Sequence, residues 1–86
     1  MIKIEKVLAN GRLLGRKDDD WYYLFKGLDT ESQLYANLIV KKEELDESPS
    51  LEEKAKERLI FVLEHKITKE YIQQKEKERN ENHNKV

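Results

Sequence analysis

The stretch KDDDWYYLFKGL, residues 17–28, decides how this 86-residue chain folds, because it holds four of the seven aromatic side chains. Three aspartates lead into it, and an aspartate side chain can hydrogen-bond its own backbone in a turn. The residues WYYLFK that follow suit a pleated, half-buried surface. The stretch therefore predicts a turn and then a strand at about 21–26.

Along this strand Trp21, Tyr23 and Phe25 share one face, because successive side chains point to opposite sides. That face could be a stacking surface, a partner contact or the core. The chain has few other large side chains, and burying an aromatic ring contributes about 2–3 kcal/mol. We therefore predict that all three lie under a helix. The other side chains of the strand are then expected to meet solvent: Tyr22, Leu24 and Lys26.

The Asn10-Gly11 pair ahead of this stretch predicts a hairpin, since it lies between two runs that contain apolar residues. A two-residue turn there would join a strand at about 2–9 to one at about 12–17. A connection of about three to five residues is the alternative and would shift every pair. In the two-residue register, both charged pairs have opposite signs. The predicted pairs are Leu8–Leu13, Val7–Leu14, Glu5–Arg16 and Lys3–Asp18.

The run QLYANLIVKK, residues 33–42, fits either a strand or a helix. Leu34, Ala36, Leu38 and Val40 alternate as in a strand, whereas Leu34, Leu38 and Leu45 partly fit a helix. The β-branched residues, together with the strands that precede them, favour a fourth strand at about 33–41.

After residue 50 the pattern becomes helical. Ser50 and Glu53 predict a capping box, which would start a helix over about 51–66. Phe61 points away from the apolar side of this helix, so the segment LIFVL at 59–63 is apolar nearly all round. A helix of this kind needs a second surface to pack against. The apolar side itself consists of Leu51, Ala55, Leu59, Ile60, Val62, Leu63 and Ile67, with Lys66 at its edge.

The end of the chain predicts a kink and a charged tail. Thr68 can cap a second helix from about 69, with Ile67 and Ile72 packing around the cap, so a break is expected at 67–68. Residues 73–85 contain no apolar side chain, which predicts a partly disordered tail over 73–86. Residues 1–72 are thus predicted to form one α+β domain. It comprises a three- or four-stranded antiparallel β-meander and a C-terminal helix on one face of the sheet.

The sequence contains few residues that could serve in catalysis or metal binding. His65 is the one candidate base outside the tail, and its place near a helix C-terminus suits a structural role. The DDD run lacks the glycine and the distant glutamate of a calcium loop, and the chain has no cysteine. We therefore expect no enzyme activity, no cofactor and no metal site. The absence of a long apolar run or a signal-peptide pattern predicts a cytoplasmic protein without a membrane span.

Charge is balanced overall, with 17 basic and 18 acidic residues, but it is segregated. Residues 1–17 carry five basic side chains against Glu5 alone, and residues 43–53 carry six acidic side chains and no base. We predict a small non-catalytic binding or regulatory accessory protein that acts through protein–protein contacts and forms a homo-oligomer. Its predicted contact residues are Phe61, Ile60 and Tyr71.

The alternative prediction is a single-stranded nucleic-acid-binding protein. Such proteins hold bases on aromatic side chains inside a basic groove. Here the basic hairpin would lie beside the aromatic strand and supply the phosphate contacts. The residues predicted for this role are Lys3, Lys6, Arg12, Arg16, Lys17, Trp21 and Tyr23.

Overall fold

The protein is a three-stranded antiparallel sheet with a long helix across one face. The computed structural model describes the backbone of residues 1–84 and the side chains of residues 1–76. The predicted α+β meander with a C-terminal helix is confirmed, and residues 35–41 of the ambiguous segment form a strand, the third of the sheet. The strands lie in the order β1-β2-β3. In chain order the elements are β1 (Ile2–Asn10), a 3₁₀ turn (Gly11–Leu14), β2 (Trp21–Asp29), β3 (Tyr35–Lys41), α1 (Lys42–Glu47) and α2 (Ser50–Asn84).

The predicted hairpin at Asn10-Gly11 is wrong, because β1 pairs with β2 and residues 12–17 form no strand. A two-residue hairpin turn of this sequence needs positive φ at both positions. Asn10 instead has a φ of −77°, and its side chain accepts a hydrogen bond from the Arg12 amide, which starts the 3₁₀ turn. The observed pairs replace the predicted ones: Leu8 with Tyr23, Val7 with Leu24, Glu5 with Lys26 and Lys3 with Leu28.

The loop between β1 and β2 covers Tyr22, which is only 3% exposed. The Tyr22 hydroxyl donates to the Asp18 carboxylate at 3.1 Å, and the Arg16 guanidinium lies 4.9 Å from the ring centroid. Gly11 permits this arrangement, because a Cβ there would stand 2.7 Å from the Asp18 backbone oxygen. The prediction that Tyr22 meets solvent is wrong because residues 12–17 are a covering loop rather than a strand.

The core lies between α2 and the sheet, and its centre is β2. Phe25, Leu59 and Leu63 are at most 2% exposed. A Cβ at Gly27 would lie 2.8 Å from Leu63 Cδ1, so the missing side chain allows α2 to approach the strand closely. Each large side chain buried here contributes about 1.5–3 kcal/mol to stability.

The prediction that three aromatic side chains are buried holds only in part. Phe25 is fully buried and Tyr23 is half-buried, but Trp21 is 51% exposed. Trp21 is the first residue of β2 and lies beside α1 rather than under α2. The alternation along the strand was therefore predicted correctly. The prediction that a helix covers the whole face was wrong, because α2 does not cover Trp21.

The segment after β3 forms a short helix, α1, that the sequence pattern does not predict. Leu45 anchors it to the core at 4% exposure. Lys42 bridges one helical turn to Asp46, an i,i+4 ion pair that supports the helix. The acidic segment at 43–53 thus spans α1 and the first turn of α2.

Helix α2 is continuous from Ser50 to Asn84, so the predicted break at 67–68 and the second helix from 69 are wrong. No proline or glycine follows Pro49, so nothing in the sequence interrupts the backbone hydrogen bonds of the helix. The helix includes Ser50 from its start, which places Ser50 inside the first turn instead of at the predicted capping position. The predicted tail at 73–86 is helical as far as Asn84, and residues 85–86 lie outside the described part of the chain.

Candidate interaction surfaces

The side of α2 that faces away from the sheet carries three exposed apolar side chains, which together we call the outer surface. At about 100° per residue, Phe61 and Ile72 lie three turns apart on nearly the same side of the helix. Leu59 and Leu63 point to the opposite side, where they are buried against the sheet. The outer surface therefore adds nothing to the core. Its members are Phe61 (62% exposed), Tyr71 (60%) and Ile72 (49%).

Basic side chains lie over both rings of the outer surface. The Arg58 guanidinium is 5.8 Å from the Phe61 ring centroid, and the Lys75 ammonium is 5.6 Å from that of Tyr71. Contacts of this kind contribute about 0.5–1 kcal/mol at exposed sites. Burying an aromatic ring against a partner contributes more. The rings thus have local neighbours but remain largely hydrated.

Two of the three predicted contact residues, Phe61 and Tyr71, lie on the outer surface. Ile60 is only half-buried and lies at the flank, between the core side and the outer surface. Ile72 was missed, because the predicted kink assigned it to packing around a helix cap. The spacing of eleven residues between Phe61 and Ile72 is three helical turns and could have identified it.

The sheet face opposite α2 carries a second, weaker apolar patch. Leu28 pairs with Tyr35 and Leu24 pairs with Ile39 across neighbouring strands. Cross-strand neighbours of this kind pack on each other. Leu28 and Ile39 are accordingly 37% and 38% exposed, well below Phe61, and of these paired side chains only Tyr35, at 66%, is as exposed as the rings on α2. The outer surface of α2 is the stronger candidate for a contact.

Three of the cations predicted to contact nucleic acid are paired with acids of the same chain. A hydrogen bond to Glu52 raises the pKa of Lys6, and the same bond lowers the pKa of the Glu52 carboxyl. A cation that is already paired with a carboxylate attracts a phosphate backbone less strongly, because the pair has little net charge. The three ion pairs are Lys6 with Glu52, Arg12 with Asp19 at 2.6 Å, and Arg16 with Asp18 at 3.0 Å.

The remaining residues predicted for nucleic acid do not converge on one groove. Lys3 pairs with Leu28, whereas Trp21 pairs with Asn10 at the other end of β1. Seven residues of strand separate these positions, a distance of about 23 Å. Lys17 is exposed on the loop between β1 and β2. A continuous basic groove is therefore not formed by these side chains.

The depression that contains Trp21 has more acidic than basic side chains in its lining. The Tyr23 hydroxyl donates to Asp46 at 2.9 Å. The Lys6 ammonium lies 4.5 Å from the Tyr23 ring centroid. Four carboxylates and two lysines line the depression that contains Trp21: Asp20, Glu43, Asp46 and Glu47, with Lys41 and Lys42. Carboxylates repel the phosphates of a nucleic acid, so this arrangement weighs against the alternative function.

His65 is exposed on α2. Within residues 1–76, no group of three or more histidine, aspartate or glutamate side chains is placed to hold a metal ion. Neither helix, as far as it is described, has the length and apolar character needed to cross a bilayer.

Comparison with known proteins identifies no relative. No protein-family model matches the chain, and neither a curated protein nor a solved structure matches it.

Proposed function

We propose that this chain is a small non-catalytic binding or regulatory accessory protein that acts through protein–protein contacts and self-associates through the outer surface of α2. One observation supports this proposal above the others. Phe61 and Tyr71 are each at least 60% exposed on a helix whose opposite side already fills the core. Aromatic side chains that are exposed on a helix in this way are typical of interaction sites, because aromatic residues contribute much of the binding energy at protein interfaces.

The charge distribution is compatible with self-association. A net charge of −1 leaves little overall repulsion between two copies. Exposed apolar side chains gain about 25 cal/mol for each Å² that a partner removes from water. The gain is largest at the two rings, since each remains at least 60% exposed beside the basic side chain that lies over it.

The test is the molar mass in solution, measured by light scattering as the protein concentration rises. We expect the wild type to exceed the 10.3 kDa of one chain. The variant Phe61→Asp should return to that mass, because it removes the apolar ring from the contact and puts there a carboxylate that would have to lose its hydration.

The matched control is Leu13→Asp, which makes a similar change at a side chain that is 82% exposed on the loop between β1 and β2. This variant should keep the wild-type mass. A wild type that stays monomeric, or a Phe61→Asp variant that keeps the higher mass, would remove the proposed self-association.

A further inference from the structure

A single stripe of side chains runs along the side of α2 that faces away from the sheet. Its positions are separated alternately by four and three residues, which keeps them on one side of a helix. Every one of them is exposed. We call this stripe the seam; it consists of Glu57, Phe61, Glu64, Thr68, Tyr71 and Lys75.

We propose that two copies of this chain pair along the seam in antiparallel order, about a two-fold axis level with Lys66. This inference rests on the proposed self-association and adds its register and orientation. The two-fold axis places Phe61 of one copy against Tyr71 of the second copy, twice in each dimer. The apolar part of the interface thus consists of two aromatic pairs, an arrangement favoured in contacts.

The charged positions of the seam are complementary in this register. Glu57 meets Lys75 of the second copy, and Glu64 meets Thr68, whose hydroxyl can donate to the carboxylate. Each of these pairs also occurs twice because of the symmetry. Antiparallel order additionally aligns the two helix dipoles favourably.

Two other arrangements of the same two helices bring like charges together. A parallel pair in register would place Glu57, Glu64 and Lys75 each against itself. An antiparallel pair shifted so that Phe61 meets Ile72 would place Glu57 against Glu76 and Arg58 against Lys75. Like charges at facing positions are unfavourable. The charge pattern therefore favours the register centred at Lys66 over these two arrangements, and among antiparallel registers this one also pairs Phe61 with Tyr71 twice.

The seam is short, so the dimer should be reversible. From Glu57 to Lys75 the helix extends about 27 Å at 1.5 Å per residue. Contacts below about 1,200 Å² of total buried area are typically weak and transient. The dimerisation constant should therefore be measured by sedimentation over a range from about 5 to about 500 µM protein.

Charge reversal tests the register. Glu57→Lys alone and Lys75→Glu alone each create two like-charge contacts per dimer, and each should weaken dimerisation by about tenfold at low salt. The double variant Glu57→Lys/Lys75→Glu restores opposite charges and should recover the wild-type constant. Lys69→Glu is the matched control, since it makes the same change outside the seam and should leave the constant unchanged.

A distance measurement tests the orientation. The chain has no cysteine, so Lys54→Cys offers one site for a spin label. In the antiparallel dimer the two labels lie about 36 Å apart along the helix axis. In a parallel dimer they lie about one helix-to-helix distance apart, about 10 Å plus the length of the labels.

The outcomes separate this inference from the proposed function. A long label distance together with recovery in the double variant supports the antiparallel seam. If the wild type dimerises and Phe61→Asp abolishes the dimer, but the labels are close or the double variant fails to recover, the register is wrong while self-association stands. A wild type that is monomeric throughout the range overturns both.

Discussion

The contact between Gly27 and Leu63 fixes how closely α2 lies against the sheet, and replacing these residues singly and together tests it. Leu63 is fully buried in the core. Leu63→Ala should lower the free energy of unfolding by about 2–5 kcal/mol, through lost burial and the cavity that remains. A chain of this length has a total stability of about 4–13 kcal/mol. This one substitution therefore removes a large part of it.

Gly27→Ala tests the same contact from the strand. The added Cβ would lie 2.8 Å from Leu63 Cδ1 and 3.1 Å from Leu59 Cγ. Overpacking of this kind costs about 1–3 kcal/mol. Replacing a strand glycine by alanine offsets about 0.5–1 kcal/mol of that cost. In the double variant the alanine occupies part of the cavity left by Leu63, so the two effects should fall short of additivity by about 1 kcal/mol or more.

The assay is urea unfolding followed by far-ultraviolet circular dichroism, at a concentration where the wild type is monomeric. Phe61→Ala is the matched control on the same helix. Because Phe61 is 62% exposed, this substitution should change the free energy of unfolding by no more than about 0.5 kcal/mol. Strict additivity of Gly27→Ala and Leu63→Ala, or an equal cost at Phe61 and Leu63, would refute the placement of α2 on the sheet.

Two further predictions concern the loops. Gly11→Ala should lower the urea midpoint by an amount equivalent to about 1–3 kcal/mol, because its Cβ would stand 2.7 Å from the Asp18 backbone oxygen; an unchanged midpoint would contradict the close approach. Hydrogen bonds from the Ser32 hydroxyl and amide, and from the amino terminus, hold the pKa of Asp29 below its ordinary 3.8. The stability that Asp29 contributes is complete above the unfolded-state pKa and is lost as the pH falls through the lower folded-state pKa. Acid titration of stability should therefore show a steeper loss below about pH 4 in the wild type than in Asp29→Asn. If the wild type and Asp29→Asn lose stability equally below about pH 4, the Asp29 carboxylate does not contribute this pH-dependent stability.

Much of the fold could be predicted from local patterns. The strand alternation placed Phe25 on the helix side of β2, and the helical period placed Ala55, Leu59 and Leu63 in the core with Phe61 outside. These predictions succeed because each depends only on the geometry of one element, which repeats every two residues in a strand and every 3.6 in a helix.

The wrong predictions share a physical cause, which is competition between distant parts of the chain. The Asn10-Gly11 pair favours a hairpin locally, but β1 gains a longer ladder by pairing with β2 over nine residue pairs. The kink at 67–68 was predicted because Thr68 can cap a new helix, with Ile67 and Ile72 packed around that cap. The uninterrupted helix keeps Tyr71 and Ile72 exposed instead, at 60% and 49%.

The candidate site could be predicted only in outline. The period of α2 identified Phe61 as outward-facing, but Tyr71 and Ile72 join it on one surface only because α2 continues without a break. The basic and aromatic residues predicted for nucleic acid all lie within residues 3–23 of the sequence. In the folded protein Lys6, for example, forms an ion pair with Glu52 on α2. Sequence proximity does not reveal such long-range ion pairs.

The sequence by itself determined which residues can form a strand or a helix and which side of each element is apolar, because these properties follow from side-chain chemistry and backbone period. Only the tertiary structure decided what covers each side. Tyr22 is buried because a loop folds over it, and Trp21 is half exposed because α2 does not extend that far. Burial depends on the neighbouring element as well as on the residue, and that neighbour is chosen by the packing of the whole chain.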